Sequence, residues 1–134
     1  MRQIMLFAAV AISVVVGAAE ILGRGEVVEI TTVEPGGTTR ETPLWIVTVG
    51  GDRFLRAGSP NAQWLARIEH DPVIWLEVDG VRQRVEAVPL RDDRGARDAV
   101  NRAMAEKYGF ADTFVGALVD PANSVPILLR PHAP

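Results

Sequence analysis

Leu44-Trp45-Ile46-Val47-Thr48-Val49-Gly50-Gly51-Asp52-Arg53-Phe54-Leu55-Arg56-Ala57 is the stretch that decides the fold. Its first six residues form a nearly continuous apolar run of strand length, rich in β-branched side chains. That pattern predicts a central strand covered on both faces. Gly50-Gly51-Asp52 supplies a tight turn, so the run and the segment from Arg53 to Ala57 are expected to form a hairpin.

Upstream, Glu26 to Val33 alternates as a half-buried strand does. Val28, Ile30 and Thr32 fall on one face, and Val27, Glu29, Thr31 and Val33 on the other. Pro35-Gly36-Gly37 ends that strand in a turn. Downstream, Gly58-Ser59-Pro60 predicts a helix start, with Ser59 as N-cap and Pro60 in the first helical position. Trp64, Leu65 and Ile68 then share a face until Pro72 stops the helix. Val73 to Val78, the turn Asp79-Gly80 and Val81 to Val88 read as a second hairpin. Asp92-Asp93 precedes a longer helix with the stripe Ala96, Val100, Met104 and Tyr108, which Gly109 ends. Asp112 caps an expected second short helix holding Phe114, Val115 and Leu118. Val125 to Arg130 reads as a last strand that Pro126 confines to an edge or barrel seam. The expected class is α+β, mainly β: a small antiparallel β-barrel over residues 24–134 with helices across its openings, preceded by one N-terminal hydrophobic helix. The resemblance given below makes it a small antiparallel split β-barrel.

Composition narrows the functions. The 134 residues suffice for one compact domain, and a formal net charge of −3 without any basic run argues against nucleic-acid binding. Cysteine is absent, which removes disulfides, thiol catalysis and cysteine-ligated metals. From Ile4 to Ala19 no side chain is ionisable, Glu20 interrupts, and Ile21 and Leu22 extend the run. Residues 1–23 therefore read as a signal peptide or a transmembrane anchor, with residues 4–22 in the membrane for the anchor. Arg2 and Arg24 flank the segment on both sides, so the positive-inside rule scarcely orients it.

The catalytic inventory is thin. His70 and His132 are the only histidines, no serine sits in a nucleophile elbow, and Gly36-Gly37 is not followed by a phosphate-loop Lys-Ser/Thr. No metal site is expected. Chemistry here would be borrowed from an organic cofactor. An anionic cofactor needs arginines, hydroxyls and free backbone N–H groups, and Arg40, Thr42, Arg53, Arg56 and Ser59 gather around the first hairpin and the short helix. Taken alone, the same set also suits a solvated rim.

Thr38-Thr39-Arg40-Glu41-Thr42-Pro43-Leu44-Trp45, then Arg56-Ala57-Gly58-Ser59, Asn61 through Trp64 and Asp71-Pro72-Val73 resemble the deazaflavin-dependent nitroreductase-like family. That family belongs to the flavin-binding split barrels of the pyridoxamine-phosphate oxidase-like superfamily. The resemblance covers about residues 27 to 88, and Glu106-Lys107-Tyr108-Gly109 extends it. It implies a homodimer with FMN or a deazaflavin at the subunit interface, and hydride transfer to a small acceptor such as a quinone or nitro compound. By position, Pro43, Leu44 and Trp45 border the ring system, and Arg40 and Thr42 of the same motif count among the cofactor-binding residues. Arg56, Ala57, Gly58 and Ser59 face the phosphate or polar tail, and Trp64 packs beneath the short helix. Leu65 departs from the family, whose members usually carry an aromatic directly after that tryptophan, and their longer phosphate loops are missing. The competing readings are a non-catalytic split-barrel binding module and a membrane-anchored structural protein without cofactor. Because flavin is loaded in the cytoplasm, an anchor with a cytoplasmic barrel fits a cofactor better than export after signal cleavage.

Overall fold

The computed structural model describes residues 26–109 and 120–132. The expected N-terminal hydrophobic helix and the short helix after Asp112 lie outside those residues. Seven strands and two helices follow in the order β1 (Val27–Val33), β2 (Thr39–Trp45), β3 (Val47–Val49), β4 (Asp52–Ala57), α1 (Gln63–His70), β5 (Val73–Val78), β6 (Val81–Pro89), α2 (Arg94–Tyr108) and β7 (Val125–Pro131). A 3₁₀ turn at Pro121–Asn123 leads into β7.

All strand pairs are antiparallel, in the order β2-β1-β5-β6-β7-β4-β3. β2 and β3 stand at opposite ends of that order, yet only Ile46 separates them in the chain. One continuous stretch therefore pairs with β1 up to Trp45 and with β4 from Val47, and the sheet curls so that both ends meet at Ile46. The alternation of faces runs straight through the change of partner. Trp45 and Val47 join one buried cluster and Ile46 the other. Burial on both faces was thus legible from the apolar run, but the central position was not. The run forms the two terminal strands of the sheet, because Thr39 to Pro43 extends its first part into a strand paired with β1.

The hairpin turns follow the glycines. Gly50 and Gly51 (φ 58° and 86°) connect β3 to β4, and Asp79 and Gly80 (φ 50° and 80°) connect β5 to β6. Positive φ at both central residues gives turns whose twist matches the flanking strands.

Inside the curl, Val28, Ile30, Leu55, Ile74, Leu76, Val85, Ile127 and Leu129 form the main core, which Leu65 and Ile68 of α1 close from one end. Thr32, wholly buried beside them, accepts a hydrogen bond from Arg67 Nε at 2.7 Å, so its hydroxyl is satisfied. The helix begins three residues later than the Ser59-Pro60 pattern implies. Ala62 occupies the cap position, and Ser59 Oγ instead accepts the N–H of Asn61 in a turn.

The outer face of β3, β4 and β7 is covered by α2. Val100, Met104 and Tyr108 pack there against Trp45, Val47 and Phe54. Asp93 caps this helix by accepting the N–H of Ala96 at 2.9 Å, and Gly109 ends it, both as the sequence predicts. The last strand departs from expectation: β7 lies between β6 and β4, not at an edge. Pro126 is tolerated because its carbonyl, which accepts the N–H of Leu90 at 2.9 Å, points to the β6 side beyond the last ladder pair, Pro89 with Ile127. N and C=O of one strand residue point the same way, so the missing N–H interrupts no bond to β4.

Candidate functional site

Directly paired residues share a face, and this rule divides the ten residues that the resemblance brings into play. Arg40, Thr42 and Leu44 pair with Thr32, Ile30 and Val28, whose side chains point into the curl. Ala57 pairs with Val125 on the same inner side and is wholly buried. Trp45 and Arg56 lie on the outer face, where α2 packs, and Pro43 lies on the same outer side of β2, exposed. The set is therefore not one lining. It splits into an inner group and an outer group, and the outer group is the one brought beside a helix.

The outer group meets α2 at its middle and at its C-terminal end. Arg56 donates from Nη1 to Asn101 Oδ1 at 3.1 Å, and Asn101 Nδ2 donates to the Pro121 carbonyl at 3.0 Å. Ser124, buried before β7, donates to that same carbonyl at 2.9 Å. Arg97 Nε donates to the carbonyl of Ser124 at 2.9 Å, which fastens the helix to the loop. The carbonyl of Gly58 accepts the N–H of Asp120, so the Arg56–Ser59 segment is built into this corner by its backbone as well.

At the C-terminal end of α2, the Trp45 and Tyr108 rings stack with centroids 4.2 Å apart and planes 5° from parallel. The Tyr108 hydroxyl, with its one proton, donates to the carbonyl of Ile46 at 2.7 Å, and the carbonyl of Glu26 lies 3.1 Å away as the weaker acceptor. Lys107 Nζ reaches the Ile46 carbonyl at 2.9 Å and the Glu26 carboxylate at 2.7 Å. Burial pushes the Tyr108 phenol above its ordinary pKa, with Lys107 and the Ile46 carbonyl opposing in part. Burial by itself pulls Lys107 down, but its hydrogen bond to Glu26 and its proximity to Tyr108 outweigh that, and the ammonium is held above its usual value. Glu26, Asn101 and Lys107 carried no sequence signal as site residues, since their partners lie far along the chain.

Trp45 is 6% exposed, and its Nε1 is the one buried side-chain polar atom without a hydrogen-bond partner among the described residues. A sealed, unpaired donor of this kind is costly, by about 1–3 kcal/mol. One face of the indole is taken by Tyr108, so a bound group would reach Trp45 through its edge, not its covered face.

The other predicted residues lie apart. Arg40 is exposed and forms an ion pair with Glu34 at 2.9 Å. Trp64 is half-buried against the main core beneath α1, where plain packing accounts for it. Among the described residues no three His, Asp or Glu side chains gather where a metal could bind, and no helix is long and apolar enough to cross a membrane.

In fold the chain is similar to several solved structures. An F420 reductase shares 21% identity at a TM-score of 0.59, the match covering 85% of this chain and 92% of that one. A FAD-binding protein of Mesorhizobium loti shares 16% at a TM-score of 0.61, covering 88% and 89%. HutZ, the heme storage protein of Vibrio cholerae, shares 15% at a TM-score of 0.60, covering 87% and 88%. No curated protein matches the chain. These likenesses, the curled antiparallel sheet and the α1 plug show a split-barrel fold. Within that class, residues 19–128 match the family described as uncharacterized protein conserved in bacteria (DUF2255), and the chain belongs to it.

Proposed function

We propose that this protein binds FMN or a deazaflavin at the outer corner between β2, β4 and α2, and reduces a small acceptor such as a quinone or nitro compound. The observation that carries the reading is the placement of Trp45 and Arg56 on one outer face against one helix, with Pro43 on the same side of β2, in a fold shared with an F420 reductase and a FAD-binding protein. Pro43, Leu44 and Trp45 border the ring, and the unpaired Trp45 N–H suits a carbonyl on the ring's edge once the cover over it is displaced. Arg56, with Gly58 and Ser59 beside it, faces the phosphate or polar tail. The bound group supplies hydride transfer; the protein binds it, orients it and keeps water away. The active form is a homodimer.

The same reading places residues 1–23 as a membrane anchor through residues 4–22 with the barrel in the cytoplasm; export after cleavage is the alternative. A reporter fused at Pro134 distinguishes the two: a cytoplasmic reporter that stays with the membrane fraction supports the anchor. The cofactor is tested by titrating FMN and a deazaflavin into the purified full chain and following the visible spectrum. A saturable shift that Arg56→Ala weakens about tenfold, equivalent to about 1.4 kcal/mol, supports the site.

A second reading, a split-barrel binding module without redox chemistry, is favoured by the Tyr108 ring that already occupies a face of Trp45. It predicts that any added flavin binds without being reduced by a nicotinamide donor.

A further inference from the structure

The ladders show which end of the barrel the chain enters. Val27 begins β1 opposite Trp45, the last residue of β2. The β1–β5 register sets Glu29 opposite Glu77, so two residues back Val27 comes level with the Asp79-Gly80 turn. Neighbouring strands lie about 4.8 Å apart, which places Val81, across that turn, about 10 Å from the start of β1. Helix α1 lies at the opposite end of β1, where Arg67 bonds Thr32 and the Gly36-Gly37 turn leads into β2. Asp79, Gly80, Val81 and Arg82 are all exposed. Val81, at 67%, is the one large apolar side chain left in water among the described residues. A single apolar residue in water is ordinary, so Val81 matters for its place and not for its area.

That place follows from the length of chain leading into β1. The apolar run ends at Leu22, and only Gly23, Arg24, Gly25 and Glu26 separate it from Val27. Five peptide links reach at most about 18 Å. With residues 4–22 in the bilayer, Val27 is therefore held within about 18 Å of the end of the span, where a headgroup layer is itself about 5–8 Å thick. Turning the α1 end toward the membrane would lift Val27 by the seven residues of β1, about 20 Å, and by the width of a helix, about 10 Å. The tether is too short for that. We infer that the Asp79–Arg82 hairpin tip docks on the phospholipid headgroups of the membrane that holds the anchor, Val81 entering the interface and Arg82 bonding lipid phosphates. Valine leaves water there, and a guanidinium matches the geometry of a phosphate. The Arg82 guanidinium carbon lies 4.6 Å from the centre of the Trp75 ring, and a stacked guanidinium keeps its N–H edge for an anion. Asp79 stands in the same turn, so the docking depends on Val81 and Arg82 and not on an excess of positive charge. The inference rests on the anchor in the proposed function, not on the cofactor.

The full chain has no cysteine of its own, so one label can be placed at each end of the barrel. Val81→Cys marks the tip, and Gly36→Cys, exposed and with open space around it, marks the far end of β1. Each variant, carrying an environment-sensitive fluorophore, is reconstituted in phosphatidylcholine–phosphatidylglycerol vesicles, and flotation with the vesicles checks the anchor. The Val81 label is expected to be blue-shifted and quenched about threefold more strongly by a headgroup-borne quencher than the Gly36 label. Arg82→Glu in the same chain is expected to narrow that difference. Equal quenching at the two positions in a chain that floats overturns the inference and leaves the anchor standing. A blue-shifted Val81 label that the lipid quencher does not reach, the sign of a protein partner over the tip, overturns it as well. A chain that does not float removes the anchor and this inference together.

Discussion

The stack of Trp45 on Tyr108, with centroids 4.2 Å apart, joins the end of β2 to the end of α2 at the point where the strand changes partner. The tyrosine hydroxyl binds the carbonyl of Ile46, the hinge residue itself, so one side chain both packs the indole and fixes the backbone at the closure. Tyr108→Phe keeps the ring and removes the hydroxyl's hydrogen bond to the Ile46 carbonyl, at an expected cost of about 1–2 kcal/mol. Trp45→Ala empties a buried aromatic site and is expected to cost about 3–5 kcal/mol. Chemical denaturation of both variants checks the order, and equal losses would contradict it.

Asp93 is the cap on which α2 depends, because its carboxylate accepts the N–H of Ala96. Asp93→Ala is expected to lower stability by about 1 kcal/mol, and Asp93→Asn by much less, since the amide oxygen can still accept. The measurement is the denaturation midpoint at neutral pH.

Stability below neutral pH is expected to depend on Glu69. Its bidentate hydrogen bond from Arg91 holds the carboxyl below its ordinary pKa, with burial opposing in part. A carboxylate depressed in the folded state stabilises the fold above the unfolded pKa, about 4.3, and that contribution is lost as pH falls through the lower folded value. Glu69→Gln is therefore expected to flatten the acid side of the stability profile while leaving the alkaline side unchanged. Glu29 has the opposite sign. Burial, then Glu41 and Glu77, raise its pKa, so protonation there relieves the fold as pH falls.

Ile68 closes the curl with no exposed surface. Ile68→Ala is expected to cost about 2–5 kcal/mol and to loosen α1 before the sheet. Hydrogen exchange separates the two: amides of α1 should lose protection first.

Local chemistry made much of this fold legible. The Gly50-Gly51 and Asp79-Gly80 turns, the alternation of β1 and the capped stripe of α2 are all dictated by residues within a few positions of one another. Thr39 to Pro43 was not legible as a strand, because it holds a proline, an arginine and threonines and is fixed only by its ladder with β1. Pro126 misled for a similar reason: whether a missing N–H matters depends on which neighbour it would have faced. Among candidate site residues, Trp45 and Arg56 stood out by type. Tyr108 was visible as a core position and within the Glu106–Gly109 stretch of the resemblance but not as a site residue, and Lys107 and Glu26 meet across a separation of 81 residues that no local pattern encodes.

The account depends on whether the corner bounded by Pro43, Trp45 and Arg56 accepts a flat tricyclic cofactor. The direct measurement is the visible absorption of the purified full chain titrated with FMN and, separately, with a deazaflavin. The proposal predicts a saturable, red-shifted and structured band with at least one of the two, weakened by Arg56→Ala. Spectra identical to free cofactor at every ratio, with both compounds, would contradict it.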